Sequence, residues 1–475
     1  MPALRRRTAA FDARAGTPRS VPPCGAARTR PGVVASLAGA ALALVLLVSG
    51  CAPGGTAEPS ASRAASAGPG ALTIRVPADA PTITEAAERV AEGGLILVSP
   101  GTYAESVLID TPDVTLRGTD RNTVIIDGEG LRANGVQVIA DGVRVENLTV
   151  RNHTFNGVLV TGMHDDNGPQ AHNLDGYTKL DPQKFPPLER FSVSHVTASN
   201  NGLYGIYAFN SHDGVISDNY SSGSADSGFY VGQCQGCGIL VSGNIAENNA
   251  IGYENANASD SVVVTGNRFS GNRVGATLIS SYQEAFLPQQ KVSFVGNVVT
   301  GNSSETSPAQ AQGAFGLGIG IAGGHENLVS NNLISGNPAA GVQITNTEDI
   351  PAVGNRIVGN TFGGNGVDVA DVAAARSSTT GTCVDPAAGL TLLPPALAAG
   401  CGTDAPSTGA DPAQLPALAV PRGMSFLKVP AGPEQPSLDG DLTTVPPRLP
   451  ASVTMPDLAA IPVPDAGLLA SAGRR

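Results

Sequence analysis

Short runs in which apolar residues alternate with others recur along the middle of the chain, each opening just after a glycine. Gly135, Gly157, Gly205, Gly228, Gly252, Gly275, Gly318, Gly341 and Gly366 are spaced by 22, 48, 23, 24, 23, 43, 23 and 25 residues. Positions one and three after the glycine are apolar, as in Val136/Val138, Val158/Val160, Ile206/Ala208, Phe229/Val231, Ala276/Leu278, Ile319/Ile321 and Val342/Ile344. Alternation over so few residues predicts a short strand with one buried face. Self-similarity every 22–25 residues predicts stacked coils. Each of the two long gaps is either one coil carrying an insertion or two coils, one degenerate. Asn-rich stretches precede the glycines, Val145–Asn152 and Val264–Asn272 among them. Asn tolerates left-handed backbone and hydrogen-bonds to neighbouring turns, so it suits coil corners. A leucine-rich repeat is disfavoured by the missing Leu consensus, and helical repeats by the lack of any sustained helical period after Gly93.

Ahead of the repeat, Thr73–Val76 reads as a strand. Thr82 and Glu85 then form a capping-box pattern, Ile83, Ala86, Ala87 and Val90 share one helical face, and Gly93 is a stop. Strand-like runs follow at Leu95–Val98, Val107–Ile109, Val114–Leu116 and Val124–Ile126. A short N-terminal capping helix has a physical task here, because an open solenoid end exposes its core. The expected fold class is all-β, a single-chain parallel β-helix over residues 72–380.

The stretch Leu72–Gly366 resembles the pectin-lyase-like family of right-handed β-helices. Pro81–Ala86 followed by Val98–Glu105 is similar to the N-terminal cap of pectin methylesterases, a cap also found in nitrous-oxide-reductase accessory β-helix proteins. The resemblance implies a right-handed solenoid and says little about activity, since one fold hosts many functions. The motifs of the family's enzymes are not matched. There is no Gln-Asp-Thr plus Arg set of a pectin methylesterase and no Arg-x-Pro-x-x-Arg of a pectate lyase. The polygalacturonase and mannuronan epimerase signatures are missing as well. For a copper-associated accessory protein the chain has only scattered His and few Met.

Flanking segments differ in character. Arg28 and Arg30 precede an apolar run, Val33–Val48, that ends in Leu47-Val48-Ser49-Gly50-Cys51. A basic stretch followed by a short apolar one marks an export signal, and its ending resembles a lipobox. Residues 1–50 are therefore expected to be a lipoprotein signal, with Cys51 acylated and palmitate among its lipids. Residues 51–71, rich in Ala, Ser, Gly and Pro, read as a tether reaching roughly 25 Å. The expected location is the outer face of the cell membrane, through the lipid anchor only. Residues 381–475 are rich in Pro and Ala, yet Met424–Val429 is apolar enough to dock along the solenoid flank.

Composition narrows the partners. The net charge is -12, and residues 1–50 carry seven Arg against one acid, so the remainder is more acidic still. Such a surface repels phosphate backbones, which argues against nucleic acid. Past Cys51 the cysteines are Cys234, Cys237, Cys383 and Cys401. Outside the membrane an even set favours disulfides: Cys383–Cys401 would close a short loop, and Cys234–Cys237 a local bridge or redox pair. A zinc site lacks a second ligand pair, so no metal site is assigned.

Candidate chemistry comes from stacking. Position two after each glycine points outward, so Gln137, Leu159, Tyr207, Tyr230, Glu254, Thr277, Gly320 and Gln343 are expected in one surface column about 4.8 Å apart. Tyr207, Tyr230, Glu254 and the nearby Asp226 suit sugar rings, the aromatics stacking and the acids taking hydroxyls. Alternatively, the two tyrosines are a structural ladder. The polar interruption Met163–Arg190 is expected to wall a groove beside them. Within it His164, Asp165 and Asp166 are the catalytic candidates, and Asp165, Asp166 and Asp175 form a set that can hold Ca²⁺. His212-Asp213 and His325-Glu326 repeat the pairing at corners, which weakens the catalytic reading of His164. The leading expectation is a cell-surface protein that binds and processes polysaccharide, with lyase, hydrolase and epimerase chemistry all open. The alternative is a non-catalytic structural, adhesive or accessory component of the envelope.

Overall fold

Each coil is three short strands joined by tight turns, and every inter-coil pairing is parallel. The computed structural model describes residues 70–170, 172, 173, 176–309, 313–385, 389–401 and 413–470. The leader, Cys51, all but the last residues of the tether, and Asp175 lie outside them. One face stacks Val143, Phe191 and Gly214 in register. A second stacks Thr197, Tyr220, Ile245 and Arg268. The third stacks Val136, Val158, Ile206, Phe229, Tyr253, Ala276, Ile319, Val342 and Val369. Positions one and three after the glycines from Gly135 to Gly341 are buried, all but the polar Asn255 in one continuous core.

Both long gaps are single coils with insertions, because Val158 pairs with Ile206 and Ala276 with Ile319. Two boundaries shift. Pairing continues past residue 380, through Cys383–Val384 to Leu392–Leu393. Gly366 is not in the glycine series either: Val342 pairs with Val369, which puts Asp368 at that position.

The corners explain the Asn. A left-handed residue such as Gly243, Gly266, Gly296, Asn331 or Gly359 turns the chain, and the Asn after it points into the core. Asn219, Asn244, Asn267, Asn297, Asn332 and Asn360 stack as one ladder, each Oδ1 after that of Asn219 accepting both the backbone N–H and the Nδ2 of the preceding coil's Asn. Asn249, Asn272, Asn302, Asn337 and Asn365 form a second. Both amide donors are used, as burial of an amide requires.

Near the N-terminus lies the helix α1, Ile83–Arg89. Thr82 accepts from Glu85 N, and the Glu105 carboxylate takes Ile83 N, Thr84 N and the Thr84 hydroxyl. Ile83, Ala86 and Ala87 join the core.

Residues 413–470 form a strap along the solenoid. Arg273 donates to Pro421 O and Arg422 O, and Asn200 to Phe426 O and Val429 O, so the 424–429 stretch does lie on the flank. The strap descends past Asn122 and Arg121, at Gln435 and Pro436, to Arg117, at Leu442 and Thr444. It then returns to Asn331, which donates to Ile461 O, and Arg268, which donates to Ala466 O.

Candidate functional site

The outward column exists. Register places Gln137, Leu159, Tyr207, Tyr230, Glu254, Thr277, Gly320 and Gln343 side by side on successive coils. Its aromatic part is not an open platform, which corrects the expected sugar-stacking face: Tyr207 and Tyr230 are each 1% exposed. Met163, Leu180 and Phe185 from the first insertion, with Tyr204 and Ala285, close over them. The rings pack on one another, Tyr204–Tyr207 at 4.4 Å, Tyr207–Tyr230 at 4.7 Å and Tyr204–Tyr230 at 4.9 Å between centroids. The physical reason is area, since one such ring exposes about 150–250 Å² if left wet, and two insertions are at hand to cover it.

Beyond the rings the column opens into a cavity of about 520 Å³. Its polar lining includes Asp226, Glu254, Thr277, Glu284, Gln343 and Thr347, and Tyr204 and Tyr207 form its apolar end. Glu254 is carried on the long strand Ile251–Thr265, Asp226 on the corner before Ser227, and Glu284 on the second insertion. Ser227 Oγ lies 2.5 Å from Glu254 Oε2 and 3.4 Å from Asp226 Oδ1. One hydroxyl proton serves only one of them. A protonated Glu254 donates to Ser227 Oγ, leaving the Ser227 proton for Asp226. Two hydrogen bonds through one atom keep the carboxyl oxygens within roughly 6 Å of each other. Tyr230 donates to Glu284 Oε1 at 2.9 Å.

Burial makes ionisation of these acids costly. It raises Glu254 well above the ordinary carboxyl range, with Asp226 and then Glu284 adding like-charge repulsion. Asp226 is raised by burial, against the Ser227 hydrogen bond. Glu284 is pushed up to about 7 by burial, with the Tyr230 hydrogen bond opposing and Asp226 adding to it. Three polar atoms of lining residues are buried without a partner: Glu284 Oε2, Thr277 Oγ1 and Thr347 Oγ1.

The catalytic candidates of the first insertion fall elsewhere. His164 and Asp165 pair with Pro169 and Gly168 in a small hairpin, and Asp165 Oδ1 accepts from Asn167 N and Gln170 Nε2, so it shapes a turn. Asp165 and Asp166 are exposed, and neither they nor His164 line the cavity. The corner pairs behave alike, with His212 beside Glu189 and His325 Nε2 beside Pro351 O. Among the described residues no group of three His, Cys, Asp or Glu is arranged to hold a metal ion, and the proposed Ca²⁺ set includes Asp175, outside them. Cys234–Cys237 and Cys383–Cys401 are disulfides.

Glu254 and Thr277 were legible from the column, and Asp226 was named beside it; Glu284, Thr347 and Tyr204 were not assigned. The signal for Glu284 was the 43-residue gap, an insertion as long-reaching as the first but less polar.

A model of the right-handed β-helix region matches residues 129–287. The protein is a right-handed parallel β-helix. No curated protein matches it. Among solved structures, this β-helix is similar to the mannuronan C-5 epimerase AlgE4 A-module of Azotobacter vinelandii, at 15% identity over 63% of this chain and 88% of that one, with a TM-score of 0.41. XylC in complex with xylose matches at 11% identity over 58% and 72%, TM-score 0.37. The PL6 family alginate lyase AlyGC matches at 12% over 66% and 53%, TM-score 0.33. No residue correspondence follows at this level.

Proposed function

We propose that the protein is an exported, lipid-anchored β-helix that binds polysaccharide in the carboxyl-lined cavity and cleaves its glycosidic bonds. Glu254, kept protonated by burial, donates a proton to the leaving oxygen. Asp226, the less shifted member of the pair, attacks the anomeric carbon as a carboxylate. Water then releases the sugar from Asp226 while Glu254, now a base, takes its proton back. The observation that carries this reading is the Glu254–Ser227–Asp226 chain on the cavity floor. The upper bound of roughly 6 Å lies below the roughly 6.5–9.5 Å of inverting pairs and admits the about 5–5.5 Å of retaining ones. Elimination beside a uronate carboxylate would need a cation over the developing charge, and among the described lining residues there is no Lys, Arg or His.

Export is supported by the two disulfides, which persist in oxidising compartments. Anchoring rests on the Cys51 motif, and the α1 end is read as the cap that keeps the first coil's core dry. Loss of lipid labelling in Cys51→Ser tests the anchor.

The test of function is release of reducing ends from a panel of neutral, amino and uronic polysaccharides. Wild type is expected to cleave at least one, and Glu254→Gln to lose at least about 100-fold in rate. Cleavage of none, or an undiminished Glu254→Gln, overturns the hydrolytic reading and favours the non-catalytic envelope role.

A further inference from the structure

The outward column is closed on one side of Glu254 and open on the other. Leu159, Tyr207 and Tyr230 are buried on three successive coils, packed under Met163, Leu180 and Phe185 of the first insertion. From Glu254 onward the column is half-exposed, through Thr277 and Gly320 to Gln343. This leaves a trough three coil steps long, about 14 Å at about 4.8 Å per coil. Its long sides are raised as well. Ser281 and Gln283 stand where strand Val274–Ile279 ends, and Ala314 stands before strand Leu317–Ala322 begins. The floor is lowest at Gly320, where an added Cβ would meet nothing nearer than 3.8 Å. Tyr204 and Tyr207 form the blind end. Asp226 lies beside it: its N–H donates to Leu203 O, and its carbonyl accepts from Ile251 N. That puts Asp226 one coil nearer the blind end than Glu254.

We propose that the cavity admits only the non-reducing end of a polysaccharide and removes units from that end. The inference rests on the hydrolytic reading above and adds which part of the chain is taken. An internal stretch has to continue past the scissile bond in both directions, and in one of them it meets Tyr204 and Tyr207. The sugar attacked by Asp226 lies against those rings. The leaving part, protonated by Glu254, runs out over Thr277, Gly320 and Gln343. The unit at the blind end is therefore the one whose anomeric carbon reacts, and a chain that stops there presents its non-reducing terminus.

The polysaccharides cleaved by the full protein in the panel above supply the test, through viscosity, product size and the effect of a blocked terminus. One small saccharide is expected from the first time point, with viscosity almost unchanged while reducing ends accumulate. Oligosaccharides of the same linkage capped at the non-reducing end should resist, and those capped at the reducing end should not. Gly320→Phe fills the floor two coil steps, roughly 10 Å, beyond Glu254. It is expected to lower kcat/KM at least about tenfold for the polymer and to spare the disaccharide, whose turnover also shows that the variant folds. A ladder of mixed product sizes, cleavage of the oligosaccharide capped at its non-reducing end, or polymer cleavage undiminished in Gly320→Phe overturns this inference and leaves the hydrolytic reading standing. Cleavage of no polymer in the panel overturns both.

Discussion

At the residue scale the protein holds two kinds of misplaced charge with opposite pH signatures. His153 occupies a ladder position, where its backbone N–H donates to Asn201 Oδ1, but its ring is buried. Burial lowers its pKa to about 4. Between the ordinary 6.5 and that value the unfolded chain binds a proton that the native one refuses. Stability therefore falls as pH drops through this window, by up to about 3 kcal/mol. His153→Asn should flatten the slope by extending the ladder, which urea unfolding at pH 5 and pH 7 would show; an unchanged slope counts against the assignment. Glu254 runs the other way. Its native pKa is raised, so the native state keeps a proton that the unfolded chain loses as pH climbs past 4.5. That contribution is present at low pH and lost as pH rises. Glu254→Gln should therefore melt higher than wild type at pH 8 even as it stops cleavage. A lower melting temperature there would mean that the carboxylate is well solvated.

At the element scale the solenoid is a stack of identical hydrogen-bond problems. Asn267 accepts from Asn244 N and Nδ2, and donates to Val241 O and Asn297 Oδ1. Asn267→Ala strands buried donors on the neighbouring coil, and we expect a loss of about 2–4 kcal/mol in chemical unfolding. An exposed position with room for a Cβ, such as Gly363, should tolerate change far better. This is also where the sequence was most legible. The 22–25-residue period and its alternation located the strands, the core positions and the outward column. What the period did not disclose was why its glycines are glycines. Gly205, Gly228 and Gly252 need no left-handed backbone; a Cβ there would meet the next coil's carbonyl oxygen at 2.5, 2.9 and 2.5 Å. Nor did it separate the two Asn roles, one bending the corner and the next stacked inside. The site was half legible for a related reason. Register follows from periodicity, so Glu254 and its neighbours could be placed, but burial of Tyr207 and Tyr230 depends on insertions that have no period.

At the scale of the whole molecule the C-terminal strap ties distant coils together. Arg117, Arg121 and Arg273 are buried side chains that donate to its carbonyls, and Leu415 and Leu418 pack beside Ile251 and Leu317 of the cavity wall. Ending the chain after residue 412 removes the strap carbonyls from those guanidiniums and leaves them only their solenoid partners, such as Glu146 for Arg117 and Val196 O for Arg121, each lost charged hydrogen bond contributing about 1.5–3 kcal/mol before rehydration. The truncated protein should unfold at lower denaturant and bind glycan more weakly; an unchanged midpoint would make the strap dispensable. Strap, insertions and solenoid all serve one arrangement, a carboxyl held uncharged on the cavity floor near neutral pH. Infrared spectroscopy of the carboxyl stretch reads it directly. At pH 7 wild type should show a protonated carboxylic acid band to which Glu284, pushed up to about 7, contributes in part and which Glu254→Gln diminishes, whereas a spectrum with every carboxyl ionised, or a band undiminished by the substitution, would contradict the account.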